Sequence, residues 1–207
     1  MQIETFVSFL IASILLTLAP GPDNLYLLAK SLKDGSKSGI ILAAGLSSGI
    51  IFHTSLVMFG VATLIQNSPI AMNVLKYLGA GYLTYLAIGS FRAFKKNSDL
   101  KIQTASSEKN SSTYFRGVMM NVCNPKVLLF FLAFLPSFVN LSSENSSSQI
   151  LILGITFAIQ AFVIFSLISI CAGKLRSIIL RRKNFGRNLS LIEGIVLAII
   201  ALSLLIL

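Results

Sequence analysis

The sequence predicts an all-α polytopic membrane protein with six transmembrane helices, arranged as two inverted three-helix halves. Three observations support this prediction. Of the 207 residues, 55% are apolar and only 12% are charged, whereas a soluble domain carries about a quarter charged residues. The apolar residues form runs that can cross a hydrocarbon core, which takes roughly 20 helical residues. The basic residues, finally, are concentrated in alternate connections between the runs.

The six runs are predicted to be helices because lipid offers no hydrogen-bond partner to an unpaired backbone group. The ten-residue alternation typical of a membrane β-barrel does not occur in the sequence. In chain order, the predicted spans cover residues 3–28, 39–65, 70–94, 114–138, 149–173 and 189–207.

The charges predict the topology. Nearly all of the 17 Lys and Arg lie in or beside the first, third and fifth connections, and the second and fourth contain none. This alternation is the positive-inside signature. It predicts that connections one, three and five are cytoplasmic and that both termini lie outside, so the net charge of +10 indicates topology rather than a nucleic-acid partner. The basic residues concerned are Lys30, Lys33 and Lys37; Arg92, Lys95, Lys96, Lys101, Lys109 and Arg116; and Lys174, Arg176, Arg181, Arg182, Lys183 and Arg187.

A single transmembrane domain is predicted over residues 1–207, with a division in its middle. The stretch 95–113, rich in Ser, Lys and Asn, is predicted to be a flexible cytoplasmic linker. It separates a first three-helix half, 1–94, from a second, 114–207. Because three spans are an odd number, the second half enters the membrane from the opposite face, the geometry of an inverted-topology repeat in secondary transporters.

Prolines interrupt the first span of each half. Pro20 and Pro22 flank Gly21 in span one, and Pro125 lies inside span four. Proline removes a backbone donor and clashes with the preceding turn, so it breaks or kinks a helix. Paired interruptions at corresponding places of two halves indicate a transporter's binding site. An ordinary kink without function is the alternative for either break.

Polar residues accompany both breaks. Asp23 and Asn24 follow the first, and Asn121, Asn124 and Lys126 surround the second. A charge at the centre of a membrane helix costs about 2.5–3.5 kcal/mol on insertion scales. We therefore expect Asp23 and Lys126 to face a cavity between the halves, where a substrate with an ammonium and a carboxylate, such as an amino acid, replaces each partner. The alternative is a structural ion pair that only locks the halves together.

Other residues within the spans are less informative. His53, in span two, is assigned either to helix packing or to a proton relay, and Gln160 in span five is expected to face protein. Gly45 and Gly49 form a small-xxx-small face suited to close helix packing. Glu193, at the start of the last span, is expected to be interfacial.

At the broken spans the chain resembles the lysine exporter and homoserine/threonine exporter family (LysE/RhtB type). The resemblance implies export of amino acids or related metabolites across a bacterial inner membrane, driven by a proton or ion gradient, through the two broken spans. Many members of that family carry an acidic residue in span five, where this chain has Gln160, so the expected proton-coupling role shifts to Asp23. The resemblance rests on Ala19-Pro20-Gly21-Pro22; on Gly35, Gly39, Gly45 and Gly49; on Asn124-Pro125-Lys126 followed by Leu129-Phe130-Phe131; and on Leu135-Pro136-Ser137-Phe138.

The function predicted from these residues is amino-acid export by proton antiport. Asp23 is the favoured proton-coupling or ammonium-binding group, and Lys126 the favoured carboxylate partner. The expected partners are the amino acid, protons or another coupling ion, the lipid bilayer and, in one alternative, a second copy of the chain in a homodimer. No nucleic acid and no cofactor is expected.

Three other functions fit the sequence less well. A divalent-metal exporter of the same superfamily is disfavoured because one His, two separated cysteines expected to be buried hydrophobes (Cys123 and Cys171) and one deep Asp are poor soft-metal ligands. A membrane-embedded enzyme needs a nucleophile with a base, paired carboxylates or a metal set, and the sequence offers no such constellation. A non-transporting scaffold subunit would have no reason to retain charges at mid-membrane.

Overall fold

The computed structural model describes residues 2–61, 69–95, 110–141, 143–174 and 185–206. These residues form helices and no strands. The helix Ser36–Leu56 continues into a π-helical turn, Val57–Val61. The short helix Pro125–Leu129 continues through a π-helical turn, Phe130–Phe134, into a 3-10 turn, Leu135–Phe138. The helices are α1 (Ile3–Leu18), α2 (Pro22–Asp34), α3 (Ser36–Leu56), α4 (Pro69–Lys95), α5 (Asn110–Val122), α6 (Pro125–Leu129), α7 (Ser146–Lys174) and α8 (Phe185–Ile206).

Three helices in the described part of the chain are long and apolar enough to cross a membrane alone, and two bent pairs raise the number to five if each pair is one span. Helix α4, which covers the predicted third span, has 27 residues but carries Asn73 and Lys76 in its first half. An all-α polytopic membrane protein is thus confirmed, while the count of six spans stays a prediction. The single helices are Ser36–Gly60, Ser146–Lys174 and Gly186–Ile206; the pairs are Ile3–Leu18 with Pro22–Asp34, bent by 58°, and Asn110–Val122 with Pro125–Phe138, bent by 48°.

The connection after the first broken span is shorter than the sequence predicts. Lys30 and Lys33 belong to α2, and Gly35 alone joins α2 to α3. Its φ of 86° lies in the region that glycine adopts without a steric penalty, which allows the sharp turn. The fully buried Lys30 pairs with Asp34 at 2.9 Å and is not a solvated loop residue.

Several predicted connections lie outside the described residues. Of the predicted linker 95–113, Lys95 ends α4 and Asn110 begins α5, and positions 96–109 lie outside. The same holds for 62–68, which cover the end of predicted span two and most of the second connection, and for 175–184 in the fifth connection.

The main helix contacts join one half of the sequence to the other. Helix α3 packs against α5 and α7, α4 packs against α8, and α1 packs against α7. At the α3–α5 contact, a Cβ at Gly45 would collide with the Tyr114 backbone carbonyl, and one at Gly117 would lie 2.6 Å from the Leu42 carbonyl oxygen. One turn after Gly45, Gly49 lies against the Asn121 side chain. Small residues thus let the halves interleave, instead of standing side by side as separate bodies.

Candidate functional site

Both breaks place a proline at the first position of the helix that follows. Helix α1 ends at Leu18 and α2 begins at Pro22; α5 ends at Val122 and α6 begins at Pro125. Proline is tolerated at the first helical position because its missing N–H would have no intrahelical partner there. Pro20 lies in the unwound turn before Gly21. Each broken span is therefore two helical segments, and backbone groups without an intrahelical partner lie where they meet.

Side chains from the two breaks meet in the protein interior. The Asn124 amide nitrogen donates to the Asp23 carboxylate at 2.7 Å, and its amide oxygen accepts from the Lys126 backbone N–H at 3.0 Å. The Lys126 ammonium donates to the Ala19 carbonyl at 2.9 Å, at the negative end of α1. Asn24 donates to the carbonyls of Thr17 at 2.8 Å and Ala19 at 3.3 Å. A hydrogen-bonded network thus links the end of α1, the start of α2 and the start of α6.

The two charges that the sequence singles out lie in this network. Asp23 is 5% and Lys126 6% exposed. They do not form a direct ion pair within 4 Å. Asn124 joins the Asp23 carboxylate to the backbone N–H of Lys126, and the two charges interact at longer range. The predicted neighbourhood of Asp23 and Lys126 is therefore present, with an amide as the link.

Glu193 is a third charged residue at the site, which the sequence analysis did not identify. Helix α8 begins at Phe185, so Glu193 lies about 12 Å inside the helix. Its carboxylate lies against Gly21 and interacts with Lys126 and with the Ser90 side chain. The sequence predicts an interfacial position near Arg187 and does not predict this contact, because α8 starts earlier than the predicted span and turns Glu193 toward the break. An acidic residue within an apolar run was the available signal.

A cavity of about 20 Å³ lies at this network. It holds about one water molecule, so the site has no room for an amino acid in this conformation. Half of its lining residues are polar or charged, and half are aliphatic or aromatic. The lining residues are Leu16, Thr17, Asp23, Asn24, Ile50, Asn121, Lys126, Val127, Phe157 and Phe165.

Gln160 and His53 border the site without entering it. Gln160 donates to the Thr17 hydroxyl at 2.9 Å, and the His53 Nε2 lies 3.0 Å from the Asn121 carbonyl oxygen. His53 is fully buried, and its ring centroid lies 5.7 Å from that of Phe131. Within the described ranges, His53 Nδ1, Asn121 Oδ1 and Gln160 Oε1 are buried atoms without a hydrogen-bond partner. The cavity wall thus contains an unused acceptor on Asn121.

A larger, open and mainly polar cavity of about 570 Å³ lies at the other end of the broken spans; we call it the vestibule. Phe138 lines the vestibule and Phe157 lines the small cavity. The Phe9 ring centroid lies 5.6 Å from that of Phe138, 6.1 Å from Phe130 and 6.4 Å from Phe157. These four side chains, the aromatic cluster, separate the two cavities. The vestibule is lined by Gln2, Thr5, Ser137, Phe138, Val139, Asn140, Ser143 and Gln149.

The cysteines differ from the expectation. Cys123 and Cys171 are both exposed because these positions face away from the packed helices, so burial as small hydrophobes was wrong. Among the residues that the structure describes, no group of three or more His, Cys, Asp or Glu side chains could hold a metal ion.

Comparisons with known proteins agree on one family. The sequence profile of the LysE type translocator family matches residues 14–207. The leucine efflux protein of Enterobacter sp. (strain 638) is 32% identical over 168 residues, covering 78% of each chain. That of Klebsiella pneumoniae is 28% identical over 191 residues, or 92% of this chain and 90% of the relative. That of Salmonella choleraesuis is 31% identical over 159 residues, or 77% of this chain and 74% of the relative. No solved structure matches the chain.

Proposed function

The chain belongs to the LysE type translocator family, and from this premise we propose that it exports leucine and similar aliphatic amino acids in exchange for protons. Amino-acid export as such is supported by the family and by the names of the relatives. The apolar helices and the bacterial relatives also support a multi-pass protein of the bacterial inner membrane. The finer proposals, the substrate and the coupling ion, depend on the site.

The observation that carries the proposal is the meeting of both breaks at one buried site with charges of both signs. The backbone of an amino acid needs an anion for its ammonium and a cation for its carboxylate. Asp23 and Lys126 supply these charges from different broken spans, linked by Asn124. Two opposite charges that lie in a low-dielectric interior without direct contact compensate each other incompletely. A ligand that carries the complementary charges therefore binds there with a favourable electrostatic energy.

The apolar part of the cavity lining favours an aliphatic side chain. Ile50, Val127 and Phe157 line the cavity, together with Leu16 and Phe165. An apolar pocket discriminates by size and by burial of apolar surface, at about 0.8 kcal/mol per buried CH₂. The present cavity is too small for an amino acid, so substrate binding requires the helices to move apart around it.

The proposed mechanism assigns a role to each group at the breaks. The substrate ammonium binds Asp23 and the unused Asn121 oxygen, and the substrate carboxylate binds Lys126. On the outer side the amino acid leaves through the aromatic cluster into the vestibule, and a proton takes the place of the ammonium on Asp23. The protonated carboxyl group is then neutral, which lowers the cost of the return step through the low-dielectric interior.

The experiment uses purified protein reconstituted into liposomes that are loaded with labelled leucine. Efflux is measured with an imposed pH gradient, and again after a proton uncoupler has dissipated it. The proposal predicts gradient-dependent efflux that Lys126→Met abolishes and that the exposed-site control Glu144→Gln leaves unchanged. Efflux that ignores the uncoupler would contradict proton antiport, and no efflux of any aliphatic amino acid would contradict the substrate class.

A further inference from the structure

Lys126 shares the space beside Gly21 with a carboxylate outside the two broken spans. A Cβ at Gly21 would lie 3.0 Å from the Lys126 Nζ and 3.7 Å from the Glu193 Oε1. The φ of Gly21 is −165°, which any residue adopts, so the space is what requires glycine at this position. Lys126 and Glu193 therefore face each other across the room that the missing side chain leaves.

Glu193 reaches this position from a different part of the fold. It lies on α8, which packs along α4. The next residue, Gly194, lies against the Phe91 ring of α4, where a Cβ would come within 2.8 Å. Ser90, also on α4, donates to the Leu86 carbonyl at 3.1 Å and lies near enough to the Glu193 carboxylate to influence it. The α4–α8 pair thus holds Glu193 on one side of the site, while Asp23 and Lys126 are held by the breaks.

In the structure, a carboxylate of the protein lies beside Lys126 where a substrate carboxylate is expected in the loaded protein. Asp23 accepts from Asn124, Lys126 donates to Ala19, and Glu193 supplies a second negative charge on the side of Lys126 that Gly21 leaves open. A buried ammonium is costly without a nearby negative charge. A substrate carboxylate on Lys126 would supply this charge in the loaded protein, and Glu193 supplies it in the structure described here.

We propose that Glu193 is a built-in substitute for the substrate carboxylate. This inference rests on the proposed export of amino acids. In the empty protein Glu193 compensates the charge of Lys126; a bound amino acid displaces it, and α8 separates from the break. Glu193 is accordingly a positioning residue for Lys126. The loaded protein changes between its inward-facing and outward-facing states without Glu193. The empty protein needs Glu193 for the return step.

The two crossings can be measured separately in liposomes loaded with labelled leucine. Net efflux into leucine-free buffer requires the empty protein to return, whereas exchange against external unlabelled leucine requires only loaded crossings. For Glu193→Gln we expect net efflux to fall at least about tenfold, because Lys126 has lost its compensating charge. Exchange should stay within about twofold of wild type, with a lower KM, because the competing carboxylate is gone.

Three further variants make the experiment specific. Glu193→Asp restores a carboxylate and should recover much of the net efflux. Ser90→Ala should also reduce net efflux more than exchange, but to a smaller extent. It replaces Glu193→Gln as the test variant if that protein does not reconstitute. Glu144→Gln, at an exposed carboxylate, should change neither flux.

The outcomes separate this inference from the proposed function. Equal loss of exchange and net efflux in Glu193→Gln, or no change in either, would overturn the role of Glu193 while wild-type export stands. A wild-type protein without either flux would refute the proposed function and this inference with it.

Discussion

Asn124 donates a hydrogen bond of 2.7 Å to Asp23 although the two residues are 101 positions apart and lie on different broken spans. The same amide accepts from the Lys126 backbone N–H at 3.0 Å, so one side chain both caps α6 and holds the carboxylate of the other break. Both halves of the sequence therefore contribute residues to the site. Changes at either break should therefore affect the same transport step.

Asp23→Asn tests the carboxylate with little change in shape. The amide can still accept a hydrogen bond from Asn124, so folding should be retained, but the negative charge for the substrate ammonium is lost. We expect export to fall by at least about a hundredfold, since the substrate ammonium would enter a buried site without a compensating negative charge. Efflux from liposomes gives the rate, and a melting curve in detergent gives the stability. Unfolding that accompanies the loss would favour the purely structural interpretation.

Lys126→Arg and Lys126→Met separate charge from shape. The ammonium reaches the Ala19 carbonyl beside Gly21, where space is limited. The planar guanidinium differs from a compact ammonium in size and in the direction of its donors. We expect Met to abolish export and Arg to retain about a tenth or less, with both proteins correctly inserted. An Arg variant as active as wild type would mean that a positive charge suffices and that its geometry is unimportant.

The sequence located the breaks because proline chemistry is local. Pro22 and Pro125 begin helical segments wherever they stand in a span, so the break positions follow from the sequence alone. The proximity of Asp23 and Lys126 was also inferable, since charges in apolar spans require a polar environment. Whether they pair directly was not inferable, because it depends on Asn124 at atomic distances.

The features that the sequence could not supply depend on helix rotation and on packing between distant segments. Glu193 lies near Lys126 only because α8 begins at Phe185 and packs on α4. Lys30 is buried because α2 extends to Asp34 before the turn at Gly35. In a span that is apolar on every face, periodicity does not show which side faces the protein.

His53→Gln tests whether the buried imidazole acts in packing or in a proton relay. The glutamine retains an N–H donor for the Asn121 carbonyl, which lies 3.0 Å from the His53 Nε2, but it cannot carry a proton as imidazole does. We expect export to stay within about threefold and the stability to fall by about 1 kcal/mol. Loss of pH-gradient-driven efflux with unchanged exchange would instead assign His53 to the proton pathway.

Gly45→Ala should destabilise the α3–α5 contact. A Cβ there meets backbone atoms of Tyr114 and Gly117, which cannot move aside as a flexible side chain can. We expect a cost of about 1–3 kcal/mol, as for other overpacked sites, measured by thermal unfolding in detergent. The matched control is Gly81→Ala in α4, where a Cβ meets nothing within 4 Å and the change should be neutral or stabilising. Equal melting temperatures for the two variants would contradict close packing at Gly45.

The aromatic cluster predicts a barrier between the site and the vestibule. Phe9 is fully buried and touches the rings of Phe138 and Phe157, which line the two cavities.

In a protein with Cys123 and Cys171 replaced by serine, Val127→Cys places a thiol in the small cavity. A membrane-impermeant thiol reagent added on the vestibule side, which the charge pattern predicts to be outside, should modify this thiol slowly. Adding Phe9→Ala should speed the modification about tenfold or more, because truncation leaves a cavity in the cluster. Phe59→Ala, at a residue that is 74% exposed, should leave the rate unchanged. If Phe9→Ala and Phe59→Ala behave alike, substrate leaves by another route and the cluster serves only to pack the helices.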